Sequence, residues 1–142
     1  MQLPRPPIIL GGLGRKRSAR LVARLADEFN VAWSPLSDIS EIFTRLKTNL
    51  AETDRDPAGL AYSAGQTICV GTNESEVRRR AGVLGQDAVT LRTTGLAGTP
   101  AEVVDKIGQL ADLGVSRTYL QFLDLADIPQ LELIAAEVLP QL

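Results

Sequence analysis

The stretch that decides the fold is residues 8–17, with the sequence IILGGLGRKR. Residues 8–10 form a short, continuous apolar run, which is typical of a strand buried on both faces. Glycines end this run, and over residues 15–26 apolar side chains recur at helical spacing between arginines. The order of strand, glycine turn and amphipathic helix predicts one βα unit.

The same order repeats along the rest of the chain. Further strands are predicted at residues 29–33, 60–70 and 118–123, and further helices at residues 37–50, 74–84, 100–113 and 128–138. Gly65 predicts a bend or bulge in its strand, and the weak pattern of residues 87–98 predicts a loop or short turns. Strands that alternate with helices indicate an α/β fold with parallel strands.

Chain length limits how much of such a fold is present. The 142 residues fit a single domain over residues 1–142. A complete (β/α)8 barrel typically needs ~250 residues, so about four parallel strands with flanking helices predict half a barrel or a small open sheet. A half-barrel exposes two strand edges and, we expect, an apolar inner face, so self-association or pairing with a separate barrel half is predicted.

Two helix starts carry capping signals. Thr99, Pro100 and Glu102 predict a capping box with proline in the first turn. Ser37 is predicted to cap the helix that follows the second strand.

Composition excludes several classes of function. The chain has no histidine and one cysteine, which excludes a histidine-based catalytic triad, a disulfide within the chain and a metal site built from these residues. A net charge of −2 gives no basic field for nucleic acid or an anionic membrane. Because no signal peptide or membrane span is visible, we expect a soluble, cytoplasmic protein.

The glycine turn is the strongest candidate site. Glycines allow close backbone approach, and the following helix start offers free N–H groups beside basic side chains, which suits a phosphate. The candidate cofactor-binding residues are Gly11, Gly12, Leu13, Gly14, Arg15 and Lys16. The alternative is a tight turn beside a solvated basic helix face. The spacing lacks the full dinucleotide fingerprint, so a nicotinamide site of the Rossmann type is poorly supported.

Four other features have mainly structural interpretations. Residues 27–30 place acidic and amide groups at the second strand, where a structural role is expected. The run Arg78–Arg80 is predicted to be a solvated helix face, and Cys69 a small buried hydrophobe. Trp33 lines a pocket or packs in the core or at the rim, and the sequence does not favour the pocket over packing.

Several segments together resemble a known family. They are residues 7–17, residues 26–30 (ADEFN), residues 55–57 (RDP), residues 98–104 (GTPAEVV) and the ending from residue 113 to residue 140. In this order they resemble the luciferase-like monooxygenase superfamily, and more closely its deazaflavin-dependent oxidoreductase branch. The resemblance spans nearly the whole chain and implies the C-terminal half of a (β/α)8 TIM barrel.

The resemblance also implies a function. Members move a hydride between a flavin or deazaflavin and an organic substrate, and the loop corresponding to Gly11 through Lys16 helps to hold the cofactor phosphate. The implied cofactor is a deazaflavin coenzyme of the F-420 type, with FMN as the alternative. The family's first four strands, which carry the residues facing the reactive ring, have no counterpart here, so catalytic residues are not assigned.

Three functions therefore stay open. The chain is a fragment or truncated form of a flavin- or deazaflavin-dependent oxidoreductase, or a non-catalytic assembly or regulatory module derived from that fold. A phosphometabolite-binding domain of unrelated chemistry is the third. The first predicts a small organic substrate in the full-length form, and a partner that is a second copy or an N-terminal barrel half.

Overall fold

The computed structural model describes residues 5–142 and confirms an α/β architecture. Its five strands are β1 (Ile9–Gly11), β2 (Glu28–Ala32), β3 (Ala61–Val70), β4 (Leu96–Gly98) and β5 (Arg117–Gln121). Its six α-helices are α1 (Lys16–Leu25), α2 (Leu36–Leu50), α3 (Glu74–Val83), α4 (Ala88–Thr94), α5 (Pro100–Asp112) and α6 (Ile128–Glu137). Short 3-10 turns lie at Pro57–Gly59 and Leu139–Gln141.

All strand pairs are parallel, and β3 is the central strand. β1 pairs with β2, and β2 pairs with the first half of β3. β5 pairs with residues 63–67 of β3, while the short strand β4 pairs with the last three residues, 68–70. The four strands β1, β2, β3 and β5 therefore follow one another across the sheet in chain order, as in half of a (β/α)8 barrel.

One face of the sheet carries the main core. Phe29 and Val31 of β2 are fully buried there with Ala64 of β3, and α1, α2, α5 and α6 cover them. A second, smaller cluster surrounds Cys69 and Leu91 between the end of β3 and the helices α3 and α4. Cys69 is fully buried, which confirms the prediction of a small buried hydrophobe, and this burial raises the pKa of its thiol.

The segment predicted as a loop is instead a helix and a strand. Residues 87–98 contain α4 and β4. The Asp87 side chain caps α4 by accepting hydrogen bonds from the backbone N–H groups of Val89 and Thr90. Leu91 of α4 then packs into the second cluster, so a local cap and a tertiary contact together order a stretch of weak pattern.

Three smaller predictions are wrong. Pro35, not Ser37, is the N-cap of α2, because the helix already begins at Leu36. Gly65 pairs in register with Ala32 on one side and Tyr119 on the other, so β3 continues through it without a bulge.

The third concerns one residue of the arginine run on α3, because Arg78 and Arg79 are exposed as predicted and Arg80 is not. Arg80 is buried, and its guanidinium donates to Asp127 (2.7 Å) and to the Val70 carbonyl (2.6 Å). Gln130 of α6 accepts from the Val70 N–H at 2.8 Å. These side chains satisfy both backbone groups at the end of β3 and join α3 to α6, so Arg80 is structural rather than solvated. Within residues 5–142, no helix is long and apolar enough to span a membrane.

Candidate functional site

The glycine turn follows β1 and is held in place by backbone contacts. The Gly12 N–H donates to the Asn30 carbonyl at 3.2 Å, which ties the turn to the end of β2. Gly12 has φ 154° and Gly14 has φ 67°, values that side chains disfavour. The turn therefore depends on glycine at both positions.

Gly14 lies against the backbone of α2. A Cβ atom on Gly14 would lie 2.6 Å from the Ile42 carbonyl oxygen, so no larger residue fits. Asn49 donates from Nδ2 to the Gly14 carbonyl at 2.9 Å, and Arg45 donates from Nη1 to the Leu13 carbonyl at 3.1 Å. Helix α2 thus binds the carbonyl groups of the turn.

The start of α1 is electrostatically incomplete. Its N-cap is Arg15, whose side chain makes no capping hydrogen bond, and its first turn contains no acidic residue. Lys16 and Arg17 instead place two positive charges at the positive end of the helix dipole, and all three side chains are exposed. Unpaired N–H groups and cations at one point make this helix start attractive to an anion.

A shallow groove gives a ligand access to this helix start. It has a volume of about 320 Å³ and is lined by Gly12, Leu13, Arg15, Arg17, Ser18 and Leu21. Lys16 is not part of this lining; its ammonium lies 3.4 Å from the Glu52 carboxylate. Both partners of that ion pair are more than half exposed, so it contributes little and leaves the lysine free to exchange partners. The structure brings five of the six predicted residues around one turn, with Lys16 directed to its side.

The open face of the sheet is polar, contrary to the apolar face that we expected. Glu28 of β2 is 3% exposed, and its carboxylate accepts hydrogen bonds from Arg117 and from the Tyr119 hydroxyl (2.9 Å). The hydrogen bond with Tyr119, together with the charge of Glu28, raises the pKa of Arg117 above its ordinary value. Nearby, Asn30 donates to Ser63 at 2.9 Å. The open face thus carries two separate hydrogen-bonded groups, one around Glu28 and one formed by Asn30 and Ser63.

Trp33 lies at the carboxyl end of β2, at the mouth of this face. It is the only non-glycine residue with positive φ (52°) among residues 5–142, and its side chain is 64% exposed. Its indole N–H donates to Gln121 of β5, which links two strands at the edge where parallel α/β folds bind ligands. Of the two interpretations from the sequence, the structure favours a rim position.

The contribution of β5 was not anticipated from the sequence. Arg117, Tyr119 and Gln121 all point to the open face, whereas Leu120 packs into the core. The alternation of polar or aromatic residues with Thr118 and Leu120 is the signal that could have identified them. Their partners on β2 are about 90 residues away, and only strand pairing reveals the contacts.

The parallel sheet has helices on one face, a polar opposite face and a positively charged turn at its carboxyl edge, and this arrangement is that of half a (β/α)8 barrel. The family comparison makes this class specific. A model of the luciferase-like monooxygenase family matches residues 1–90. Because these residues make up more than half of the chain, the chain belongs to that family.

Solved structures share the fold at low sequence identity. The coenzyme F420 dependent tetrahydromethanopterin reductase from Methanopyrus kandleri is 18% identical with a TM-score of 0.71. The alignment covers 94% of this chain and 50% of the reductase chain. An F420-dependent secondary alcohol dehydrogenase is 12% identical with a TM-score of 0.77, over 98% of this chain and 49% of that one.

A third similar structure binds a different cofactor. The oxygenating constituent of 3,6-diketocamphane monooxygenase from Pseudomonas putida, in complex with FMN, is 20% identical with a TM-score of 0.64, over 96% of this chain and 49% of that one. The chain therefore spans about half the length of the solved structures that it matches. Comparison with curated proteins gives no match.

Proposed function

We propose that this chain is one half of a flavin- or deazaflavin-dependent oxidoreductase and that the Gly11 to Lys16 turn binds the cofactor phosphate. The observation that carries the proposal is the start of α1, which has no side-chain cap and no acidic residue in its first turn. Placing Arg15, Lys16 and Arg17 there without an anion is unfavourable for the helix, and a phosphate group reverses that effect.

The donor set matches the chemistry of a phosphate. Backbone N–H groups donate along the helix axis, and the Arg15 guanidinium and Lys16 ammonium add charge from the side. Glycine at positions 12 and 14 lets a phosphate oxygen approach the backbone closely. The bound cofactor supplies the hydride-transfer chemistry, while these residues of the chain anchor and orient it.

Two cofactors are compatible with the fold relatives. The Methanopyrus kandleri reductase and the alcohol dehydrogenase depend on F420, and the Pseudomonas putida enzyme contains FMN. The deazaflavin coenzyme is our first choice because the sequence segments resemble the deazaflavin-dependent branch, and FMN is the second. A small organic substrate would then bind beside Trp33 and Gln121, at the mouth of the polar face.

Turnover by this chain requires a complementary barrel half. The chain spans about half of its solved relatives, and its open polar face needs further strands to enclose a ligand. That half is a second copy of the chain or an N-terminal barrel half. The same half-length also favours a second function, a non-catalytic assembly or regulatory module that keeps the fold without the chemistry.

Ligand titration separates these functions. Calorimetry with FMN, riboflavin and the deazaflavin coenzyme should show tighter binding of the phosphate-bearing ligands, because riboflavin lacks the group that the turn binds. The double variant Arg15→Gln/Lys16→Gln should weaken FMN binding about tenfold or more, since a hydrogen bond to a charged group contributes roughly 1.5–3 kcal/mol. Arg24→Gln, in the last turn of the same helix, is the matched control and should bind like the original chain.

Equal affinity for FMN and riboflavin would contradict the phosphate site. An equal loss in the Arg24→Gln control would show that general charge, rather than the turn, attracts the ligand. If neither FMN nor the deazaflavin coenzyme binds, even with a complementing barrel half present, the assembly module becomes the better description.

A further inference from the structure

The sheet ends on each side in a strand that has one neighbour within the described part of the chain. β1 pairs with β2 alone, and β5 pairs with β3 alone. An edge strand leaves backbone N–H and C=O groups unpaired, and another strand of suitable direction satisfies them. Because β1 and β5 are parallel, β1 of a second copy has the direction needed to extend the sheet at β5.

An apolar groove of about 520 Å³ runs beside β5 on its helix-covered side. Its apolar lining includes Val104, Ile107, Leu120, Leu139 and Leu142. Ser116 and Arg117 also line it, which places it at the beginning of β5. This groove is wide enough for an aliphatic side chain from a neighbouring strand.

Ile8 is the residue that the groove suits. It precedes β1, is 37% exposed, and by strand alternation shares the face of Leu10, which packs against the core. When two parallel strands pair, their beginnings lie at the same end. Pairing of β1 from a second copy with β5 therefore brings its Ile8 to the open end of this groove.

The helices that follow the two edge strands carry opposite charges. α1 (KRSARLVARL) has four basic residues and no acidic residue, whereas α6 (IPQLELIAAE) has two glutamates and no basic residue. Both also expose aliphatic side chains: Leu21 and Leu25 on α1, and Ile128 and Leu131 on α6. Such surfaces are complementary in charge and both bury apolar area on contact.

We propose that two copies of this chain close one eight-stranded parallel barrel around a twofold axis. β5 of each copy pairs with β1 of the other, Ile8 enters the apolar groove, and α1 packs beside α6. The twofold axis makes the two contacts identical, and the polar faces with their Glu28 and Arg117 pairs become a shared interior. This inference rests on the proposed need for a complementary barrel half, and it names that half as a second copy.

Light scattering on the 142-residue chain tests the assembly, which should have twice the chain mass of 15.3 kDa. Two charge-reversed variants then test its geometry. Arg17→Glu/Arg20→Glu/Arg24→Glu leaves Lys16 as the one basic residue of α1 and makes this helix acidic, and Glu132→Lys/Glu137→Lys makes α6 basic. Each variant alone brings like charges together at both contacts, so its dissociation constant should rise roughly tenfold or more. Circular dichroism checks that each variant is folded.

Mixing the two variants is the decisive measurement. In the mixed pair, acidic α6 faces basic α1 at one contact and basic α6 faces acidic α1 at the other, so a heterodimer should recover the original affinity. Ile8→Asp should abolish assembly by placing a carboxylate in the groove. Val89→Asp, which adds the same charge at a 73% exposed site on α4, should leave assembly intact.

Three results would overturn the dimer: a monomeric original chain, unchanged assembly of the charge-reversed variants, or no recovery on mixing. Assembly and cofactor binding are read separately. A dimer that binds no flavin contradicts the proposed function alone, and a flavin-binding monomer contradicts the dimer alone.

Discussion

The two helices α1 and α5 both begin at a glycine-containing turn after a strand, yet they are completed in different ways. At α5, Thr99 accepts from the Glu102 N–H and the Glu102 carboxylate accepts from the Thr99 N–H, with Pro100 in the first turn. At α1, Arg15 offers no acceptor, and the turn is fixed by insertion of Gly14 against α2.

This contrast distinguishes a self-sufficient helix start from one that needs a partner. α5 satisfies its N–H groups with residues within three positions of each other, so its sequence alone specifies the start. The N–H groups at the start of α1 have no side-chain acceptor, and the basic residues there add positive charge. Without an anion, this combination lowers the stability of the helix. A helix start without capping groups is expected where a bound anion accepts the hydrogen bonds of the free N–H groups.

The largest expected effect comes from filling the space at Gly14. Gly14→Ala should destabilise the protein by about 2–4 kcal/mol, because it combines a left-handed backbone with a clash against the backbone of α2. Gly82→Ala on α3, a helix away from the groove beside β5, is the matched control. A Cβ there meets no atom within 4 Å, and alanine in a helix should stabilise by about 0.5–1 kcal/mol. Urea unfolding at one fixed protein concentration measures both, and equal effects would remove the contrast between the two turns.

The next effect comes from removing the N-cap residue of each helix. Thr99→Ala should cost about 1 kcal/mol, because α5 loses the acceptor for the Glu102 N–H. Arg15→Ala should be neutral or stabilise by up to about 0.5 kcal/mol, since no capping bond is lost and one cation leaves the positive end of α1. Thermal unfolding without added anions compares them. A similar loss in both variants would show that Arg15 has a structural role at this turn.

The smallest effect is a pH dependence specific to α5. The hydrogen bond from the Thr99 N–H, together with Arg92, lowers the pKa of Glu102 from its ordinary value of 4.5. The folded state therefore favours the carboxylate, whose contribution is present above pH 4.5 and is lost as the pH falls through the lowered pKa. α1 has no carboxylate in its first turn and should show no such dependence.

Unfolding of the Glu102→Gln variant measures this contribution. The stability difference from the original chain should be constant at neutral pH and shrink as the solution is acidified. Asp105→Asn, which removes an exposed carboxylate from the same helix, is the control for general charge effects. A difference that does not change with pH would mean that the Glu102 carboxylate does not stabilise α5.

Local signals in the sequence predicted most of the elements but not all. The capping box at Thr99 and the glycine turn after residue 10 correctly indicated a helix start, because both act over a few residues. α4 was missed because its β-branched residues are weak helix formers, and packing of Leu91 decides its conformation. The local signal for this helix start is Asp87, a residue type that favours the N-cap position.

The candidate site also has one part that local sequence signals predict and one part that depends on tertiary contacts. The residues of the Gly11 to Lys16 turn were identified from the sequence, and their phosphate ligand remains a proposal. The polar face was not predicted, because Glu28 and Arg117 are neighbours only through the register of β2, β3 and β5. The mistaken prediction for Arg80 has the same origin, since its partner Asp127 lies on another element.

The sequence by itself therefore determined the order of the strands and helices apart from α4 and β4, the parallel arrangement of the strands and the incomplete start of α1. These follow from side-chain periodicity, glycine conformation and capping, which depend on neighbouring residues. The tertiary structure alone decided which strand edges stay open, which polar groups meet on the open face and where Gly14 is inserted. Those features depend on contacts between segments distant in the chain, which no local pattern specifies.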